Sequence, residues 1–253
     1  MFGICNLSIV PLRFEPSDRS EQVSQILFGE HFTILEKAAK WTKIEAAFDN
    51  YIGWIDNKQF IEIDESQFLY LEQSPIVLSS DLVEYISSPN NILLPISIGA
   101  SVSFLDNESI NTTNYTFEGI KTCGIKTKNN LIKTAFMYLN APYLWGGKTP
   151  FGIDCSGFTQ MVYKLNGYKL LRDASQQATQ GEALSFIEES EPGDLAFFDN
   201  EDGNITHVGI MMEDNYIIHA SGKVRVDRLD HLGIYNVDNG RHTHKLRVIK
   251  KII

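Results

Sequence analysis

Three residues in one order could make an activated nucleophile. Cys155 stands in Ile153-Asp154-Cys155-Ser156-Gly157-Phe158, His207 follows 52 positions later in Thr206-His207-Val208-Gly209, and His219 lies in Ile218-His219-Ala220-Ser221. A thiol, an imidazole to take its proton and a third group to orient that imidazole are the parts of covalent acyl-transfer chemistry. Asp154 is a good N-cap type, and Phe158, Met161, Val162 and Leu165 recur at helical spacing before Asn166-Gly167 ends the run. That pattern puts Cys155 at the first helical position. Unpaired amides and the helix dipole favour negative charge there, which predicts a lowered thiol pKa. The backbone amide of Cys155 is also placed to stabilise an oxyanion.

The two histidines must then meet. His207–Met212 and Tyr216–Ala220 read as strands joined by Glu213-Asp214-Asn215. A three-residue loop pairs His219 with Gly209, so His207 lies two positions along on the same face, a diagonal neighbour with β-carbons roughly 7 Å apart. A two-residue loop would shift the register and separate them. On the first register His207 is the base and His219 its orienting partner. One cysteine and two histidines could also ligate zinc, but the spacings fit no common zinc pattern, so neither metal nor cofactor is expected. His31, His231, His242 and His244 have no such context and read as surface or structural histidines. Three cysteines are an odd number; Cys5 and Cys123 read as small buried residues with free thiols.

The elements that must position these groups begin at about Lys126. There Leu131, Ile132, Ala135, Phe136 and Leu139 take up helical spacing until Pro142, with strands resuming at Leu195–Phe198 and running to Arg247–Ile249. Residues 126–253 are expected to form an α+β domain, helices first and then sheet. Ahead of it, Ile4–Ile63 carries closely spaced strand signals with turns at Gly29-Glu30 and Asp49-Asn50, which predicts a small β-barrel over residues 1–63. A second β-rich stretch, with Ile76–Leu78, Asn91–Leu94, Ser101–Leu105 and Tyr115–Phe117 and few helical patterns, predicts another barrel over residues 64–125. In a chain of 253 residues, 43% hydrophobic and with net charge -10, no Lys or Arg run exceeds Lys250-Lys251, which argues against a nucleic-acid partner. The first residues lack the pattern of a signal peptide, and no apolar run approaches the roughly 18 to 20 residues of a membrane span. With Met1 as the start, the cytoplasm is the expected location and no membrane contact is expected.

Taken together, Tyr143-Leu144-Trp145-Gly146-Gly147, Asp154–Phe158, Pro192-Gly193-Asp194-Leu195 and the two histidine segments resemble the NlpC/P60 cysteine peptidases, a papain-like family that cleaves peptidoglycan peptides. The resemblance implies Cys155 as nucleophile, His207 as base, His219 as third residue and Tyr143 as a neighbour of the thiol that assists oxyanion or substrate; Trp145 reads as core packing. The N-terminal half looks like bacterial SH3-type domains, in the arrangement of γ-D-glutamyl-L-diamino acid endopeptidases of the dipeptidyl-peptidase VI type. That arrangement implies a cleft in which Asp154, Tyr51 and an acidic residue, here Glu21 rather than Glu15, hold the substrate's free N-terminal amine. It also implies that Ser156 and Ser175 contact the D-glutamate portion, although Ser175 could instead N-cap a helix over Gln176–Glu182. The implied substrate is a short wall peptide such as L-Ala-γ-D-Glu-diaminopimelate, or its lysine counterpart. Two other readings stay open: a wall-binding protein with a degenerate peptidase domain, and a thiol amidase or acyltransferase.

Overall fold

The computed structural model describes all 253 residues, which divide into two compact units, Met1–Gly124 and Ile125–Ile253. In the first unit, β1 (Phe2–Ile4), β2 (Ile9–Arg13), β3 (Gln22–Leu27), β4 (His31–Lys37), β5 (Trp41–Ala46), β6 (Ile52–Asp56) and β7 (Ile61–Ile63) form one antiparallel sheet in the order β3-β2-β6-β5-β4-β1-β7. Alternate residues of five of these strands, among them Val10, Leu12, Ile26, Phe32, Ile34, Ile44 and Ile55, meet in a single core, so the sheet wraps around its own inner face. The turn residues read from the sequence are where the backbone needs them. Asn50 takes a left-handed φ of 58° between β5 and β6, and Gly29, at φ 74°, lies so near the Ser101 carbonyl that a β-carbon would come within 1.9 Å of its oxygen.

Residues 64–124 depart from the expected second barrel. They open with a helix, α1 (Glu65–Gln73), whose Asp64 accepts from the Gln67 amide while Gln67 returns a bond to the Asp64 amide. Two small sheets follow, β10-β9-β11 and β12-β8, from β8 (Val77–Ser79), β9 (Val83–Ser87), β10 (Leu93–Ser97), β11 (Thr116–Phe117) and β12 (Lys121–Cys123). The segment Ser101–Leu105 is not a strand: it makes an isolated bridge at Ser101 and then turns, burying Val102 and Phe104. Those two join Phe28, Ile63, Leu71, Ile86 and Ile96 in one core, so this part shares apolar interior with the first sheet. Cys123 is exposed, contrary to its reading as a buried residue, because the short edge strand β12 pairs only with β8.

The second unit comprises α2 (Asn129–Met137), the two-residue strands β13 (Lys148–Thr149) and β14 (Gly152–Ile153), α3 (Cys155–Leu165), α4 (Ala174–Gln177), β15 (Glu182–Leu184), β16 (Leu195–Asp199), β17 (Ile205–Met211), β18 (Tyr216–Ser221), β19 (Lys223–Asp230), β20 (Gly233–Asn236) and β21 (Arg241–Lys251). Its sheet runs β15-β21-β16-β17-β18-β19-β20, and β21 pairs with β20 as well as with β16, so six strands close into a ring. Ala196, Phe198, Met211, Ile217, Leu229, Ile234 and Ile249 pack inside it. On the other face Val208, Ile210, Ile218 and Ala220 are buried, and α3 packs against β17 and β18. All eleven residues of α3 are buried, and each large apolar side chain so covered contributes roughly 1.5 to 3 kcal/mol. The helix expected over Gln176–Glu182 is instead the single turn α4, N-capped by Asp173 and not by Ser175, and Glu182 already begins β15. No helix is long and apolar enough to cross a membrane.

Candidate active site

Cys155 is the first residue of α3, with Asp154 as its N-cap, as the sequence pattern requires. The Asp154 carboxylate accepts from the Gly157 amide at 2.6 Å, the Gly146 amide at 2.8 Å and the Ser156 hydroxyl at 3.3 Å. Arg172, 1% exposed, adds Nη1 to Oδ1 at 3.0 Å and Nη2 to Oδ2 at 2.6 Å, and gives Nη1 to the Ser156 hydroxyl at 3.0 Å. A carboxylate offers about four lone-pair directions, so this one is saturated. The assembly ties the Trp145-Gly146-Gly147 turn, α3 and the segment before α4 to a single side chain. It also requires close backbone approach: a β-carbon at Gly157 would lie 2.3 Å from the Gly147 carbonyl oxygen. Trp145 stands 61% exposed on that turn, so its reading as core packing is corrected.

The histidine hairpin has the expected register. Asp214 takes φ 56°, Met212 donates its amide to the Tyr216 carbonyl, and Gly209 pairs with His219. His207 Nε2 lies 2.8 Å from His219 Nδ1, and both rings are buried. The chain of contacts then continues to a residue that the sequence reading missed. His219 Nε2 is 3.0 Å from Asp227 Oδ2 on β19, and Asp227 also receives Arg225 Nε at 2.6 Å, Arg225 Nη2 at 2.9 Å and the Val237 amide at 3.0 Å. Asp227 lies two positions from Arg225, the partner of His219, so the diagonal rule that joins His207 to His219 also joins His219 to Asp227.

These contacts fix the protons. Burial alone would raise the Asp227 carboxyl, but the bonds from His219, Arg225 and the Val237 amide outweigh it and bring it down to about 2. An ionised carboxylate only accepts, so His219 carries its proton on Nε2 and presents a lone pair at Nδ1. His207 must then donate from Nε2, which leaves the lone pair of His207 on Nδ1. Burial, reinforced by the neighbouring histidines, holds His207 well below the ordinary imidazole range; burial also lowers His219 against the pull of Asp227. His207 is neutral and its tautomer is dictated by Asp227, two residues away along these contacts.

The thiol departs from expectation. Burial, then the Asp154 charge, push Cys155 up to about 12, although the Val208 and Ser156 amides and Arg172 act in the opposite direction. The helix start therefore does not make a resting thiolate, because desolvation of the sulfur exceeds the help of the amides. The Val208 amide that reaches the sulfur belongs to the residue after His207, which brings the strand that carries His207 to the thiol. Tyr143, held by its amide on the Gly222 carbonyl, is pushed up to about 12 by burial and the nearby Cys155 and Asp154, so it offers a neutral hydroxyl at the thiol.

The other sequence-selected residues are distributed more widely. Ser156 is buried within the Asp154–Arg172 assembly, whereas Ser175 is exposed on α4. Tyr51 and Glu21 lie in the first unit. Tyr51 precedes β6, packs against the inner core of the sheet and donates its amide to Asp49 at 3.1 Å; Glu21, exposed, precedes β3 and accepts the Phe14 amide through its carbonyl. His244, read as surface or structural, instead stacks on His207 with ring centroids 4.2 Å apart. The described residues contain no cluster suited to a metal ion.

Comparison with known proteins gives two domain matches: the NlpC/P60 family over residues 140–240, and the bacterial dipeptidyl-peptidase SH3 domain over residues 12–60. The chain is 28% identical over 222 residues to a γ-D-glutamyl-L-lysine dipeptidyl-peptidase of Bacillus cereus, an alignment covering 78% of this chain and 66% of that protein. It is 26% identical over 245 residues to dipeptidyl-peptidase 6 of Lysinibacillus sphaericus, covering 85% of this chain and 87% of the relative. Among solved structures, an NlpC/P60 family protein from Bacillus cereus superposes with a TM-score of 0.82 at 21% identity, covering 100% of this chain and 99% of that one, which establishes a common fold.

Proposed function

Since this chain is an NlpC/P60 family peptidase that carries a bacterial dipeptidyl-peptidase SH3 domain, we propose that it is a cysteine endopeptidase cutting the γ-D-glutamyl to L-diamino acid bond of short wall peptides with a free N-terminal L-alanine. The observation that carries the chemistry is the run of contacts Asp227–His219–His207, ending on a strand whose next amide, that of Val208, reaches the thiol at a helix start. The relatives' names, which specify γ-D-glutamyl-L-lysine dipeptidyl-peptidase activity in two cases, support the bond and the substrate class.

The thiol is neutral at rest, so deprotonation accompanies attack. His207 Nδ1 takes the proton as Cys155 Sγ bonds to the γ-carbonyl carbon, and the developing oxyanion falls to the Cys155 amide and the Tyr143 hydroxyl. The new imidazolium is steadied through His219 by the Asp227 carboxylate. Return of the proton to the amine of the diamino acid expels it and leaves a thioester, which water, deprotonated by His207, then hydrolyses. No metal or cofactor enters any step.

Amine recognition in this reading rests on Tyr51 and Glu21 of the SH3-type domain, with Asp154 acting mainly as the scaffold of the α3 start, because its oxygens are already taken. Ser156, in the same assembly, and Ser175 are assigned to the D-glutamate carboxylate. The proposed division is an SH3-type domain over residues 1–63, a segment 64–125 that shares its core and is not a barrel, and a papain-like catalytic domain over residues 126–253. All three cysteines are free and one is exposed, which suits a reducing compartment and a cytoplasmic reaction on released peptides.

Mass spectrometry of L-Ala-γ-D-Glu-diaminopimelate with wild type and Cys155→Ala tests the reading. Release of L-Ala-D-Glu by wild type alone, with the N-acetylated peptide left intact, is the expected result. Equal turnover of both peptides would remove the amine requirement, and an intact tripeptide with binding to purified sacculi would replace the enzyme by a wall-binding role.

A further inference from the structure

The proton relay leaves one ring at the site without a part. His244, on β21 opposite Ile234 of β20, lies four residues beyond the segment 140–240 that matches the NlpC/P60 family. Its ring lies over that of His207 at 4.2 Å with 25° between the planes, while it meets His219 edge to face at 5.8 Å. Phe198 stands 5.7 Å from His207 with its plane tilted by 47°. His244 is itself held, since its Nδ1 lies 2.9 Å from the Thr243 hydroxyl.

The bond from His207 Nε2 to His219 fixes one atom of the ring. That atom lies near the Cβ–Cγ axis, so the bond resists rotation about this axis weakly, and Nδ1 is among the atoms that such a rotation displaces most. A flat ring packed face to face opposes that rotation directly, because turning His207 out of parallel drives its edge into His244. The tautomer of the base is set by Asp227, but the direction of its lone pair is not.

We propose that His244 is a positioning residue for the thiol chemistry: its stacked ring sets the plane of His207 and so aims the Nδ1 lone pair at Cys155. The inference rests on the reading of Cys155 and His207 as nucleophile and base. It requires a flat ring at position 244 and does not require that ring's nitrogens.

The test compares wild type, His244→Ala and His244→Phe by kcat and KM for L-Ala-γ-D-Glu-diaminopimelate, and by the rate at which iodoacetamide alkylates Cys155, resolved from Cys5 and Cys123 by peptide mass spectrometry. Removing the ring is expected to lower kcat by about tenfold to a hundredfold with KM within about twofold, the size of loss a misaimed group produces. His244→Phe restores kcat to within about threefold of wild type, and Cys155 alkylation follows the same order. Wild-type kcat in His244→Ala overturns the proposal, and so does a His244→Phe enzyme as impaired as His244→Ala. If wild type leaves the tripeptide intact but Cys155 alkylation still falls in His244→Ala and recovers in His244→Phe, the substrate reading fails while the positioning role stands.

Discussion

Replacing Asp227 by asparagine changes one oxygen for an NH2 group and should reverse a proton two residues away, on His207. Each Asp227 oxygen now accepts two donors: Oδ1 from Arg225 Nη2 and the Val237 amide, Oδ2 from Arg225 Nε and His219 Nε2. An asparagine with its NH2 at the Oδ1 position would face two fixed donors. With its NH2 at the Oδ2 position it faces only Arg225 Nε, provided that His219 gives up the proton on Nε2. The second arrangement is therefore preferred by about one donor-to-donor clash and the hydrogen bond lost with it, roughly 3 kcal/mol. His219 then carries its proton on Nδ1, His207 must accept at Nε2, and Nδ1 of the base bears hydrogen where a lone pair is needed. At 1.36 kcal/mol per factor of ten, the competent tautomer is populated about a hundredfold less, and kcat/KM for L-Ala-γ-D-Glu-diaminopimelate falls by about that factor. KM should change little, because no substrate contact is touched, and circular dichroism should show an intact fold. A folded Asp227→Asn enzyme within threefold of wild type would refute the tautomer argument.

Other outcomes follow from the same geometry. At pH 7 the difference in ultraviolet thiolate absorbance between wild type and Cys155→Ala should be absent, since Cys155 is pushed up to about 12; a clear thiolate band would mean a preformed ion pair. His207 and His219 have folded pKa values below 6.5, so the unfolded chain binds more protons in acid. Stability should be fully present above pH 6.5 and fall by up to about 1.4 kcal/mol per pH unit for each neutral histidine as pH drops below it, read as denaturant midpoints from pH 7 to 5. Arg172→Met leaves the Asp154 carboxylate buried without its cation and should cost about 3 to 5 kcal/mol, lowering Tm by roughly 10 °C; an unchanged Tm would mean that the pair is not what holds the α3 start. Glu21→Gln and Tyr51→Phe should raise KM for the free-amine tripeptide while leaving Cys155 alkylation as in wild type.

The thiol's helix position and the histidine hairpin were legible because both follow from local rules: a capping aspartate with helical apolar spacing, and a loop whose left-handed Asp214 fixes the register. Asp227 was legible in principle, since Lys223–Asp230 alternates and the diagonal rule applies a second time, but in Arg225-Val226-Asp227-Arg228 it looks like a charged outer face. The burial that makes it a relay residue comes from ring closure, a long-range event. His244 was hidden for the same reason: β21 reaches the site through irregular pairing with both β16 and β20. The rise in the Cys155 pKa also depends on packing density around the sulfur, which no spacing reveals. The helix α1 is the converse case. Its capping signal, Asp64-Glu65-Ser66-Gln67, stands openly in the sequence, yet the surrounding strand signals outweighed it.

The closure of the six-stranded ring also orders events in time. The proposed nucleophile is at residue 155, but the strand that seals the ring and carries His244 starts at Arg241. During synthesis Cys155, His207 and Asp227 all leave the ribosome before the piece that joins β16 to β20. A chain interrupted before that strand retains Cys155, His207, His219 and Asp227 with two unpaired sheet edges and an unsealed interior. The proposed cleavage thereby depends on β21, and loss of that strand should silence the enzyme while leaving Cys155, His207, His219 and Asp227 in the sequence.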